Sequence, residues 1–142
     1  MSTSAYTTFL SVALCFLTIS CVCSSEGTTS KVSQEEFFRE RVAPILQRRC
    51  LSCHNHAERK GDFSLQSFAT LLESSFLEPG DAAASHLLEV IAPSAGAPEM
   101  PKDSDPLTEQ QITDIRTWID AGAVWPSEFE LEPLSIKDYD WW

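Results

Sequence analysis

The sequence predicts an all-α domain in which helices from the two ends of the folded region pack across each other around a central site. Three observations carry that prediction. Ser33-Gln34-Glu35-Glu36 and Thr108-Glu109-Gln110-Gln111 both place a hydroxyl residue three positions ahead of a Glu or Gln, the reciprocal pattern that satisfies the free amides opening a helix. Each is followed by apolar residues at helical spacing: Phe37, Phe38, Val42, Ile45 and Leu46 after the first, and Ile112, Ile115, Trp118 and Ile119 after the second. Between them stands Cys50-Leu51-Ser52-Cys53-His54, whose positions i, i+3 and i+4 share one face of a helical turn.

In chain order, residues 1–24 read as a secretory signal. The run Phe9 to Ile19 is too short to span a bilayer comfortably and leads into small residues, although no Lys or Arg precedes it. Leu17-Thr18-Ile19-Ser20-Cys21 also loosely resembles a lipoprotein signal, which would lipidate Cys21; ordinary cleavage after Cys23 or Ser24 fits equally. Residues 25–32 are a polar linker. The first helix begins at the Ser33 box and meets Pro44, which cannot donate to the carbonyl of Glu40 and so kinks the helix or opens a second piece. Beyond the cysteine motif, Phe63, Leu65, Phe68, Leu71 and Leu72 form a short apolar segment, and Phe63 and Phe68, with Leu87 and Leu88 further on, are expected as apolar wall of the central site. Pro79-Gly80-Asp81 is a turn whose aspartate would cap a helix of roughly ten residues through Leu87, Leu88 and Ile91, with His86 upon it. Residues 92–106 are a proline-rich loop holding Met100-Pro101. The last helix carries Leu107 and Ile112 as a hydrophobic staple and stops at Gly122. Its stripe is expected against the Phe38/Val42 helix. Residues 127–142 are acidic and end in two tryptophans, which reads as a linker or the start of a following domain.

The motif implies chemistry. Two thiols three apart with an imidazole directly after them are the attachment pattern of c-type haem, with Cys50 and Cys53 forming thioethers and His54 the proximal iron ligand. Three other uses of these residues compete. A zinc site would add His56, but structural zinc takes two ligand pairs separated by a longer loop. A thioredoxin-type dithiol follows a strand, and here helix precedes it. A lone disulfide is the third. Cys15, Cys21 and Cys23 lie in the leader, so Cys50 and Cys53 are the only pair in the folded part, and a disulfide-stapled scaffold is excluded by count. With Met1 lost in the leader, Met100 is the sole thioether available as second axial ligand. His86 or an open position are the alternatives.

Composition limits the partners. An apolar fraction of 43% suits one small domain with a modest core, and the net charge of −11 argues against nucleic acid. That charge is uneven: residues 31–60 sum to +3 and residues 61–142 to −13. Basic side chains beside the motif therefore suit haem propionates or an acidic redox partner. The leader predicts export, to the periplasm or cell envelope, with membrane association only through a lipidated Cys21.

Residues from about 36 to 126 resemble the planctomycete-type cytochrome c domain. The resemblance rests on Val42-Ala43-Pro44-Ile45-Leu46, the Cys50 to His54 motif, Lys60-Gly61, Pro79-Gly80-Asp81 before a leucine helix, Met100-Pro101, and Trp118-Ile119 leading to Ala121-Gly122-Ala123-Val124-Trp125-Pro126. Lys102 departs from it, since a second proline is common there. The resemblance implies a class I-like cytochrome c fold over residues 33–126, one covalent haem c with Met as distal ligand, and a place at the front of a larger exported protein. In the family a Trp-rich start to the next domain is common, similar to Asp140-Trp141-Trp142. The expected function is electron transfer, with the iron of a His54/Met100 site cycling between ferrous and ferric, to a redox partner or a following domain. The chain reads more as a carrier than as an enzyme; the alternatives are a peroxidase-like or ligand-sensing haem with an open distal site, and a redox module feeding a catalytic domain outside this sequence.

Overall fold

The computed structural model describes residues 26–134, with side chains from Ser30 onward. The expected leader, Cys21 included, and Asp140-Trp141-Trp142 lie outside the described residues. Among those described, the fold is helical and contains no strand.

The chain opens with helix α1, Glu26–Phe37, passes through a π-helical turn, Phe38–Val42, and continues as α2, Ala43–Arg49. Pro44 explains the turn. It has no N–H, and its ring would strike a carbonyl one turn back in a regular helix; the widened turn absorbs this, with the Ala43 amide donating five residues back to the Phe38 carbonyl. Pro44 thus sits in the first turn of α2, where no amide is required. The expected start at Ser33 is corrected. Helix begins at Glu26, so most of the stretch expected as linker is helical, and the Ser33 hydroxyl donates to the Ser30 carbonyl at 2.8 Å instead of capping. A serine hydroxyl can bond the preceding helical turn as readily as it opens a new one.

Helix α3, Phe68–Glu73, is capped by Ser67, whose hydroxyl accepts from the Thr70 amide at 3.3 Å. Helix α4 runs only His86–Ile91, shorter than expected, because Asp81 caps a separate turn by accepting from the Ala84 amide at 3.0 Å. The buried Ser85 hydroxyl then ties that turn back, donating to the Asp81 carbonyl at 2.9 Å and accepting from the Glu78 amide at 2.9 Å.

Helix α5, Glu109–Asp120, forms where expected. Both halves of the Thr108/Gln111 capping box are made. At its other end Gly122 adopts φ +96°, its amide bonding the Ile119 carbonyl while Ala123 reaches Trp118, the two bonds that close a helix through a left-handed residue. The same end grips the turn before α4: the Gly80 amide donates to the Ile119 carbonyl and the Ala82 amide to Asp120 Oδ1.

The core lies where α5 crosses the π turn, as the two stripes require. Phe38 is wholly buried, its ring 5.5 Å from Trp118, 4.3 Å from Trp125 and 5.7 Å from Phe129. Beside it Arg41 spans the crossing to Asp114, with both Nε and Nη2 donating to the buried carboxylate, which also accepts from Gln110. Packing continues past residue 126. Leu131 is fully buried and its amide donates to the Gln66 carbonyl at 2.8 Å, and the Arg39 guanidinium lies 4.7 Å over the Phe129 ring. Leu131→Ala should therefore destabilise the domain by about 2 to 5 kcal/mol, the cost of emptying a buried leucine site. Denaturant unfolding of the protein checks this; a change near zero would mean that residues after 126 merely lie on the surface.

Candidate haem site

The attachment motif follows directly on the end of α2, in a turn whose first amides, those of Cys50 and Leu51, both donate to the Leu46 carbonyl. The Cys53 and His54 amides both donate to the Cys50 carbonyl, at 3.1 and 3.0 Å, so the three residues lie on one hydrogen-bonded turn, although the turn is not part of a helix as the spacing led one to expect. The turn is then locked by a residue that the sequence reading missed. Asn55 is buried; its side-chain amide donates to the Leu51 carbonyl, and its oxygen accepts from the amides of Ala57 and Glu58. Nothing in the sequence marks this asparagine apart from its place directly after His54.

His54 is oriented by the backbone. Its Nδ1 lies 2.6 Å from the Lys60 carbonyl. A carbonyl can only accept, so Nδ1 carries the proton and Nε2 keeps its lone pair for a metal. The 3₁₀ turn Lys60–Asp62, with Gly61 at φ +73°, brings that carbonyl round, which gives the Lys60-Gly61 pair its structural use. Burial holds the His54 pKa below its ordinary 6.5; the bond to the Lys60 carbonyl works against that shift and the Lys60 charge adds to it. In the haem-free chain the neutral ring is the form that the fold prefers, and the unfolded chain takes up a proton first. The stabilisation is present above pH 6.5 and is lost as pH falls through the lowered folded value. Unfolding midpoints of haem-free protein should therefore drop on acidification below pH 6.5, and His54→Gln should flatten that slope. Burial likewise pushes the Cys50 thiol up to about 12, keeping it protonated.

A cavity of about 610 Å³ lies beside this turn, and Cys50, Cys53, His54 and Met100 all line it. Met100 reaches it from the proline-rich loop because its amide, with that of Glu99, donates to the Val90 carbonyl at the end of α4, at 3.0 and 2.9 Å. His86 lines the same cavity, but its Nδ1 donates to Glu89 at 3.0 Å and its ring packs 4.8 Å from Phe76. One wall is a column of rings, His54 to Phe63 at 4.5 Å and Phe63 to Phe76 at 4.5 Å. The expected apolar wall is corrected in part: Phe63 and Leu87 belong to it, while Phe68 instead stacks on Trp125 at 5.9 Å and Leu88 lies in the core. Arg48, Arg49, Lys60 and Lys102 make the rim basic. Among the described residues no three His, Cys, Asp or Glu side chains gather as a metal-holding group, so the donors of the zinc alternative, His56 included, are not assembled as one site.

Residues 50–104 match the family described as Planctomycete cytochrome C. That stretch is of the planctomycete cytochrome c type. No curated protein and no solved structure matches the chain. The matched stretch of this cytochrome domain begins at the first motif cysteine and ends just beyond Met100, so it contains every candidate site residue and leaves α1, α2 and α5 outside. The family implies haem as cofactor, and the residues present fit it: a free imidazole Nε2, two thiols on one turn, a thioether across an apolar cavity, and a basic rim suited to carboxylates.

Proposed function

We propose that the domain is a single-electron carrier of an exported protein, binding one haem c covalently through Cys50 and Cys53, with His54 and Met100 as axial ligands. The observation that carries this reading is the convergence of those four side chains on one cavity, with His54 Nδ1 bonded to the Lys60 carbonyl. A haem held there would supply one-electron chemistry between ferrous and ferric iron. The chain's own residues hold that chemistry still. The Lys60 carbonyl fixes the His54 ring, Asn55 fixes the turn beneath it, and Val90 fixes the loop of Met100. A methionine ligand raises the potential relative to bis-histidine ligation, and Phe63, Phe76 and Leu87 act in the same direction by excluding water. The electron goes to a redox partner protein or a following domain, in the periplasm or cell envelope.

The test is to produce the protein in a host with cytochrome c maturation, denature it, and record whether haem stays on the polypeptide. The native ferric protein should then show the weak far-red absorption of a thioether-iron bond and bind cyanide slowly. Retained haem without that absorption, together with rapid cyanide and carbon monoxide binding, would replace the carrier with the open-site alternative.

A further inference from the structure

We propose that Gln66 is a positioning residue for the turn that carries His54, and that residues 129–132 are the strap that holds it in place, an inference that rests on the haem-binding reading above. The loop that orients the imidazole cannot place itself. Residues 56–62, which include the Lys60 carbonyl bonded to His54 Nδ1, are all exposed, so no packing of their own fixes them and their hydrogen bonds must. Gln66 supplies one at the start of the loop, its side-chain oxygen accepting from the His56 amide at 2.7 Å. The neighbouring Leu65 amide donates to the His54 carbonyl at 2.8 Å. A buried serine steadies the pair: the Ser64 hydroxyl accepts from the Gln66 amide at 3.2 Å.

Gln66 is itself held from much later in the chain. Its carbonyl accepts from the Leu131 amide at 2.8 Å, and Leu131 is wholly buried. The strap is anchored on both sides of that leucine: the Phe129 ring lies edge-on to Phe38 at 5.7 Å, the Phe129 carbonyl accepts from Trp125 Nε1 at 2.6 Å, and the Glu132 carbonyl accepts from Gln47 of α2 at 3.4 Å. Lifting it would empty a buried leucine site, so the tether is stiff. One residue therefore carries both connections, its carbonyl toward the strap and its side chain toward the loop. The strap lies beyond the stretch that matches the family, which ends at residue 104, so the seating of the His54 turn depends on a segment outside that match.

The experiment uses matured, haem-loaded protein with Gln66→Leu, Gln66→Glu, Leu131→Ala and, as a control for lost stability, Ile119→Ala, which empties a buried site of α5 that does not line the cavity. Two readouts are taken: hydrogen exchange of the His56 amide under native conditions, and the haem-methyl proton shifts of the ferric form, whose spread follows the orientation of the axial imidazole. Gln66→Leu and Leu131→Ala should both exchange the His56 amide at least about fivefold faster, the loss expected for one hydrogen bond, with the methyl shifts displaced in the same sense. Gln66→Glu keeps an acceptor and should keep wild-type exchange. Ile119→Ala should leave both readouts where they are. Wild-type exchange at His56 in Gln66→Leu or Leu131→Ala, unmoved methyl shifts in either, lost protection in Gln66→Glu, or equal effects in Ile119→Ala overturns the proposal. Loss of haem from denatured wild-type protein overturns the reading beneath it, while exchange at His56 still decides whether strap and loop are joined, so the two failures are distinguishable.

Discussion

Protein in which both Cys50 and Cys53 are serine should release all of its haem on denaturation, and Cys53→Ser alone should keep at most one thioether. The effect is all or none because a hydroxyl does not add to a vinyl group under conditions in which a thiol does, and a bond to His54 alone is lost once the fold that orients the ring is gone. The fold itself should survive: the swap changes one atom per side chain, and the turn is held by backbone bonds to the Cys50 carbonyl and by Asn55. Cys50 is packed against the core, so its serine will bury a hydroxyl at a cost of about 1 to 3 kcal/mol, visible as a modest loss of stability. Denaturing gels stained for haem, with circular dichroism of the same samples, separate attachment from folding. Undiminished retention in the double variant would falsify the assignment.

Phe38→Ala should cost about 3 to 5 kcal/mol, among the largest losses available to a single substitution in this domain. Phe38 has no exposed surface and meets Trp118, Trp125 and Phe129 at once, so truncation opens a hole bordered by three large rings that cannot all collapse inward. It does not line the haem cavity. Matured Phe38→Ala protein should therefore keep its covalent haem while its denaturation midpoint falls steeply. A loss under about 1 kcal/mol would show that the crossing of α5 over the π turn is not the principal contact of the fold.

These two residues also show what a sequence can disclose. The cysteine motif, the Thr108 box, the Gly122 stop and the Phe38/Trp118 stripes were legible because each is a short-range pattern with a local cause: a shared turn, shared helical faces, unsatisfied amides, a left-handed residue. Ser33 and Asp81 have equally good local chemistry and mislead, since a hydroxyl or carboxylate able to cap can also serve the turn beside it. Asn55 and Leu131 were illegible for another reason. What matters about them is the partner, and the partner of Leu131 lies 65 residues away in sequence. Phe68 was assigned to the wall of the cavity because periodicity tells which side of a helix is apolar, but not which neighbour it meets. Met100 was singled out by elimination, as the only thioether outside the expected leader, and the loop geometry that brings it to the cavity comes from bonds to Val90 that no pattern announces.

The grip of α5 on the Pro79-Ala82 turn has a mechanical corollary. Gly80 and Ala82 hang from the last turn of α5, Ser85 secures that turn to α4, and α4 presents Val90 to Met100. His54, by contrast, takes its bearing from the Lys60 carbonyl a few residues away. The two sides of the cavity are thus surveyed from separate datum points, one close in sequence and one on a helix that follows Met100 in the chain. Strain entering through α5 would therefore reach the side of the cavity that carries Met100 before the side that carries His54.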